Sequence, residues 1–301
     1  MEDLKIGMIG LDTSHAVAFT KLLNDSTQVH HVKKGKVVMA FPGGSPGFPL
    51  SMSRLEGFTK EIKESYSVQI MDSMEEVAFA CDAILLESVD GTQHFEQLKR
   101  IIPYKKPIFI DKPFSLSSKD AKEMIQLSQN YQTPIMSSSA LRFAEGLRSV
   151  MGNSIKGKII GADCFGPMEI LEKQPGFFWY GIHTIEMLFT ILGVGSKEVS
   201  VKTNNDHDLL TAIWKDGRIG TVRGNRKGNN QFGAAIHFEH GTEFVSIKDN
   251  QKPFYASLLE EIVLFFQNGV SPVSINETLE IVRFIETANE SRNSGKSIVL
   301  R

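Results

Sequence analysis

From residue 5 to about residue 135, apolar runs of strand length alternate with longer amphipathic segments, and that alternation admits very few folds. Runs at 5–9, 36–41, 68–71, 83–87, 107–110 and 134–136 predict strands, and segments at 16–23, 55–65, 74–80, 95–102 and 118–131 predict helices. Strands joined by such crossovers pair in parallel, with right-handed connections and helices on both faces. A sheet of this kind binds ligands beyond the carboxyl ends of its strands, an edge that here gathers Gly10, Phe41, Ser88 and Asp111.

After about residue 145 the texture changes. Strands are expected at 158–165, 197–203, 209–223 and 232–248, with hairpin turns at Lys215-Asp216-Gly217 and His240-Gly241-Thr242. Helices are expected at 183–192, 254–268 and 275–294, with Gly295 as a helix stop before a last strand at 297–300. The fold class read from this order is α/β: a doubly wound parallel Rossmann sheet over residues 1–125, then an α+β domain on a mostly antiparallel open sheet over residues 126–301.

Composition removes several classes of function. With 33 basic residues against 35 acidic ones and no long Lys/Arg run, a nucleic-acid partner is not expected, and Lys33-Lys34-Gly35-Lys36 reads as a solvated turn. Cys81 and Cys164 lack the spacing of a zinc site or disulfide framework. Neither a basic-then-apolar leader nor a window of ~20 apolar residues occurs, so a cytoplasmic protein without a membrane partner is expected.

The first strand, Lys5-Ile6-Gly7-Met8-Ile9, runs into Gly10-Leu11-Asp12-Thr13-Ser14-His15 and then a helix. This is the position of a dinucleotide-binding G-x-G-x-x-G turn, with Asp12 and His15 where the second and third glycines belong. Thr13 and Ser14 can donate to a pyrophosphate at the helix N-terminus, whereas Asp12 either sits beside that anion or caps the helix. The second strand ends in Phe41-Pro42-Gly43-Gly44-Ser45, without the acid that normally holds the ribose hydroxyls. Ser45 or Arg54 could therefore hold a 2'-phosphate, so NAD and NADP both remain open; the segment also reads as an ordered surface loop.

Taken in order, the Gly10 turn, Glu87-Ser88-Val89-Asp90-Gly91-Thr92-Gln93-His94, Asp111-Lys112-Pro113, Ser137-Ser138-Ser139-Ala140-Leu141-Arg142-Phe143 and Gly181-Ile182-His183 resemble the glucose-fructose oxidoreductase and inositol dehydrogenase family, Gfo/Idh/MocA. The resemblance implies an NAD(P)-dependent oxidoreductase acting on a sugar, polyol or related small molecule, with a homodimer or homotetramer built on the open sheet. It implies Lys112 and His183 as the acid/base pair, with Lys112, Tyr180 and His183 against the substrate. Where the family usually has an aspartate, four residues before His183, this chain has Trp179; Tyr180 or Glu186 is a candidate for the missing polar group.

Ser88, Asp90 and His94 are expected on the nicotinamide side of the cleft or at the entrance to the substrate pocket, His94 having helix capping as its alternative, and Asp111 is expected on the cofactor side. Arg142 reads either as a ligand for a carboxylate or phosphate, the cofactor's included, or as a cross-domain ion pair. No metal site is assigned, although His183 and Glu186 have i, i+3 spacing and His237, Asp163 and Glu169 are remote further ligands. Two alternatives to the oxidoreductase are thus carried: a ligand-binding or regulatory member of the same family, and a lyase or metal-assisted enzyme.

Overall fold

A computed structural model describes residues 3–152, 154–247 and 252–300. Its first unit alternates β1 (Leu4–Ile9), α1 (Ser14–Asn24), β2 (Gly35–Phe41), α2 (Pro49–Tyr66), β3 (Gln69–Ile70), α3 (Met74–Ala80), β4 (Ala83–Leu86), α4 (His94–Ile101), β5 (Ile108–Ile110), α5 (Ser118–Tyr131) and β6 (Ile135–Met136). The strands form one parallel sheet in the order β3-β2-β1-β4-β5-β6, which is the dinucleotide-fold order with its reversal beside β1. β4 and β5 are short, apolar and buried at every position because helices cover both faces.

Register decides what meets at the ligand edge. Ile9 lies opposite both Phe41 and Leu86, and Leu86 opposite Ile110, so β1, β2, β4 and β5 end level. The next residues, Gly10, Pro42, Glu87 and Asp111, therefore leave the sheet side by side. Helix α2 starts at Pro49, six residues before the predicted 55, because proline at the first helical position has its φ already set.

The second unit carries α6 (Glu145–Met151), β7 (Ile159–Pro167), α7 (Gly181–Leu192), β8 (Ser196–Thr203), β9 (His207–Trp214), β10 (Ile219–Asn225), β11 (Phe232–Phe238) and β12 (Gly241–Ile247). The predicted 209–223 run is β9 and β10 around the Lys215–Gly217 turn, and the 232–248 run is the β11–β12 hairpin, with residue 248 outside the described residues. The sheet order is β12-β11-β7-β10-β9-β8-β13, mostly antiparallel, but β10 runs parallel to β7 because α7 and the β8–β9 hairpin intervene as a crossover. One face packs on α7, whose Leu188 and Leu192 lie over Gly220; the other leaves Leu209, Ile213, Ile219 and Phe244 exposed.

After this sheet come α8 (Phe254–Asn268), α9 (Ile275–Ser294) and β13 (Ile298–Val299). The expected boundary at residue 125 is corrected. β6 pairs with β5, Ile108 opposite Ile135, so the first unit runs on to Ser138, and it also includes Tyr255–Ile275 with most of α8, whose Val263 packs beneath Gly35. The second unit holds Leu116–Ser118, Ser139–Phe254 and the chain from Asn276 on. Among the described residues no helix is long and apolar enough to cross a membrane.

Candidate active site

Gly10 has φ +89°, and a Cβ placed there would lie 2.4 Å from the Ser88 backbone nitrogen, so only glycine lets β1 turn against the start of the β4–α4 loop. The loop after β2 folds onto the same place: the Gly10 and Leu11 N–H groups donate to the carbonyls of Phe41 and Pro42. Asp12 does not cap α1. The N-cap is Thr13, whose hydroxyl accepts from the His15 N–H, while the Asp12 carboxylate turns inward to accept from Ser51 Oγ at 2.6 Å and from the Val89 N–H at 3.1 Å. Burial pushes its pKa up, against the pull of those hydrogen bonds.

Asp12 thus crosslinks three segments. Ser45 is committed in the same way: its hydroxyl donates to Asp90 Oδ2 at 2.6 Å and its N–H to Ser51 Oγ. Arg54, one turn into α2, stays partly exposed. His94 opens α4 without capping it; its ring nitrogens lie 3.0 Å from the Pro113 carbonyl and 2.8 Å from the Ser88 carbonyl, tying the Asp111-Lys112-Pro113 segment to the β4–α4 loop. Gln97 donates to Ser88 Oγ, so Ser88 is held at both backbone and side chain.

Beneath the turn lies a group that the sequence reading did not assemble. His15 Nδ1 sits 2.9 Å from Asp111 Oδ2 and 3.7 Å from Glu87 Oε2, and all three residues are buried. Burial opposes a proton on His15, but the charge of Asp111 and contacts to both carboxylates outweigh it and raise the pKa to about 9. Asp111 is held below the usual carboxylate range, the His15 charge overcoming burial, whereas burial and the Asp111 charge push Glu87 up. Lys112, half-buried, acts electrostatically on all three, and its N–H supports the Asp111 carboxylate. In the sequence His15 stands out only for displacing a glycine, and Glu87 only as part of a motif; an acid ending the apolar run Ala83-Ile84-Leu85-Leu86 at the ligand edge is the available signal.

In the second unit, His183 opens α7 with Nδ1 2.7 Å from Ser139 Oγ, and its ring packs edge-on to Tyr180 and Phe232 at 5.6 and 6.0 Å. Tyr180 and Phe232 line a cavity of about 500 Å³ with Glu169, Asn225, Lys227 and Asn229. The indole Nε1 of Trp179 points to Glu169 Oε2 at 3.4 Å, so the carboxylate near this aromatic run is Glu169. Glu186 cannot substitute: its carboxylate accepts from the Ser139 N–H and pairs with Arg142.

Arg142 is buried between Glu186 and Glu277, all three within the second unit, so the cross-domain ion pair is corrected to an internal one. His183 and Glu186 do not converge as metal ligands, because each turns to Ser139. His237 and Asp163 pair with each other at 2.8 Å on the open sheet face. Among the described residues the only three-residue group with ligand spacing is His15, Glu87 and Asp111.

Residues 51–138 match the model of an oxidoreductase family, GFO_IDH_MocA, described as having an NAD-binding Rossmann fold. The match covers less than a third of the chain. A search of curated protein sequences finds no match. Among solved structures, myo-inositol 2-dehydrogenase from Lactobacillus plantarum aligns over 100% of both chains with TM-score 0.81 at 17% identity. Myo-inositol dehydrogenase from Lactobacillus casei, in complex with NAD(H) and myo-inositol, covers 99% of this chain and 97% of its own with TM-score 0.79 at 13% identity. An Agrobacterium radiobacter oxidoreductase in complex with NAD+, L-tartaric acid and magnesium covers 99% and 98% with TM-score 0.78 at 15% identity. At these identities the likeness establishes that both halves of the chain share the fold of these structures.

Proposed function

We propose that the chain is an NAD(P)-dependent oxidoreductase transferring a hydride between nicotinamide and a sugar, polyol or related small molecule. The reading is carried by the Gly10 turn, which sits at the strand-order reversal of a sheet whose family is NAD-binding. The residues fit a dinucleotide: a Cβ at Gly10 would fill the turn, Thr13 and Ser14 open the eleven-residue helix α1, and the Asp12 carboxylate is turned away into Ser51 and Val89. Gly10, Thr13 and Ser14 would hold the pyrophosphate, with Ser88 and His94 shaping the loop beside it and Asp12 bracing the turn from within. Since Ser45 donates to Asp90, Arg54 is the better candidate for a 2'-phosphate, and NADP remains open beside NAD.

The bound nicotinamide supplies the hydride donor or acceptor. Lys112 exchanges the proton of the reacting hydroxyl. Asp111 positions Lys112 through the backbone. His183, its ring set by Ser139, contacts substrate hydroxyls with Tyr180, and the Glu169, Asn225 and Lys227 lining is suited to a polyhydroxylated ligand. The exposed Leu209, Ile213, Ile219 and Phe244 make the open sheet the surface for a homodimer or homotetramer. Two free, buried cysteines accord with a cytoplasmic setting.

Titration with NAD+, NADH, NADP+ and NADPH tests the proposal most directly; failure of all four to bind refutes it. If one binds, Lys112→Ala should abolish turnover of a polyol panel while leaving nucleotide affinity nearly intact. Trp179 in place of an acid favours a second reading, a family member that binds ligand without turning it over, and nucleotide binding with no turnover of any polyol would select it.

A further inference from the structure

Glu87 has an environment that neither of its own protonation states satisfies. Its side chain is fully buried, neither carboxylate oxygen has a hydrogen-bond partner, and His15 Nδ1 stands 3.7 Å from its Oε2. A buried carboxylate without donors is strongly disfavoured, and a buried carboxylic acid wants an acceptor for its own proton. His15 Nδ1 is in the same position. It lies 2.9 Å from Asp111 Oδ2, yet that contact is not aligned as a hydrogen bond. Three unpartnered polar atoms thus converge on one point with a second carboxylate, from the turn after β1 and from the ends of β4 and β5.

We propose that His15, Glu87 and Asp111 form a binding site for one divalent transition-metal ion. Their ligand atoms all lie within 4.8 Å of one another. Ligands held at roughly 2.0–2.2 Å from a common ion stand about 3.0–3.6 Å apart, and the 2.9 and 3.7 Å separations here bracket that range. One imidazole and two carboxylates suit a borderline ion such as Zn2+ better than a hard one, which prefers all-oxygen coordination. Two carboxylates with a neutral imidazole carry two negative charges, which one divalent cation cancels in a place where water cannot. The ion would clamp the β1–α1 turn to the ends of β4 and β5, and through Asp111 it would steady the backbone of Lys112. The proposal stands independently of hydride transfer.

Metal analysis of the protein as purified, and again after chelation and reloading with Zn2+, tests this site. About one Zn2+ per chain is expected, with a rise of several degrees in Tm on reloading and, with Co2+ as probe, a visible absorption band of low-symmetry coordination. Glu87→Gln should weaken Zn2+ binding at least tenfold, whereas His237→Ala, which removes the histidine–aspartate pair on the open sheet, should leave it unchanged. If Glu87→Gln fails to fold, the wild-type stoichiometry, Tm shift and Co2+ band still decide. Absence of stoichiometric metal together with no Tm response overturns the proposal, and so does Zn2+ binding lost in His237→Ala or retained in Glu87→Gln.

Discussion

Replacing Gly10 with alanine puts a methyl group 2.4 Å from the Ser88 nitrogen, 2.5 Å from its Oγ and 2.6 Å from its Cα. Two of these atoms are backbone, and His94 and Gln97 anchor that residue, so the neighbour cannot swing aside. The φ of +89° adds a separate penalty. A left-handed conformation costs a non-glycine residue roughly 1–2 kcal/mol, and overpacking a close-packed site costs about 1–3 kcal/mol. The sum is about 2–5 kcal/mol of stability for the first unit, with loss of dinucleotide binding wherever β1 and the β4–α4 loop separate. Gly57→Ala is the matched control: Gly57 lies within α2 with open space around its Cβ position, and it should gain about 0.5–1 kcal/mol from helix propensity. Both tryptophans, Trp179 and Trp214, belong to the second unit, so fluorescence follows that unit while hydrogen exchange of β1 and β4 amides follows the first. A Gly10→Ala protein whose β1 protection falls by less than about 1 kcal/mol would refute the packing argument, since either term alone predicts at least that much.

Asp12→Asn keeps an acceptor for Ser51 and the Val89 N–H but removes a buried charge. Because the folded pKa of Asp12 is raised above 3.8, the folded state binds the proton more tightly than the unfolded chain. Wild-type stability therefore falls as pH rises from about 3.8 to the raised value and is level above it; the asparagine variant should lack that fall in pH-resolved urea unfolding. Arg142→Met should cost about 3–5 kcal/mol by removing the buried cation between Glu186 and Glu277, visible in tryptophan fluorescence, and leave nucleotide affinity unchanged; a nucleotide affinity that drops while stability holds would return Arg142 to the binding site. Glu169→Gln should lower polyol kcat/KM by about ten- to a hundredfold, the worth of a charge-assisted hydrogen bond, with no change in nucleotide affinity. Phe244→Glu places a charge on the open sheet and should convert an oligomer to a smaller species in sedimentation; an unchanged mass removes that face as the interface.

The helices at 118–131, 254–268 and 275–294 were legible to the residue because each shows a sustained 3.6-residue apolar period between stops. The expected 125/126 boundary failed for a non-local reason: β6 is two residues long and belongs to the first sheet only through its pairing with β5. Likewise α8, remote in sequence, packs beside β2, and no local pattern announces such a return. At the site, Gly10, Lys112 and His183 were readable as motif positions. Asp12 was readable as an exception, but its carboxylate's direction was not, since Ser51 and Val89 reach it from other segments. Arg142 was readable as a functional arginine, and its two carboxylate partners lie 44 positions or more along the chain.

By itself, the order of apolar runs determined a parallel sheet followed by a mostly antiparallel one, and the edge at which a ligand would bind. Those are consequences of period and connection length, which neighbouring residues carry. Only the tertiary structure decided that His15, Glu87 and Asp111 form one buried group, because that depends on β1, β4 and β5 ending level across two strand pairings. A displaced glycine, the end of an apolar run and a motif acid have nothing in common along the chain; the register of the sheet makes them neighbours.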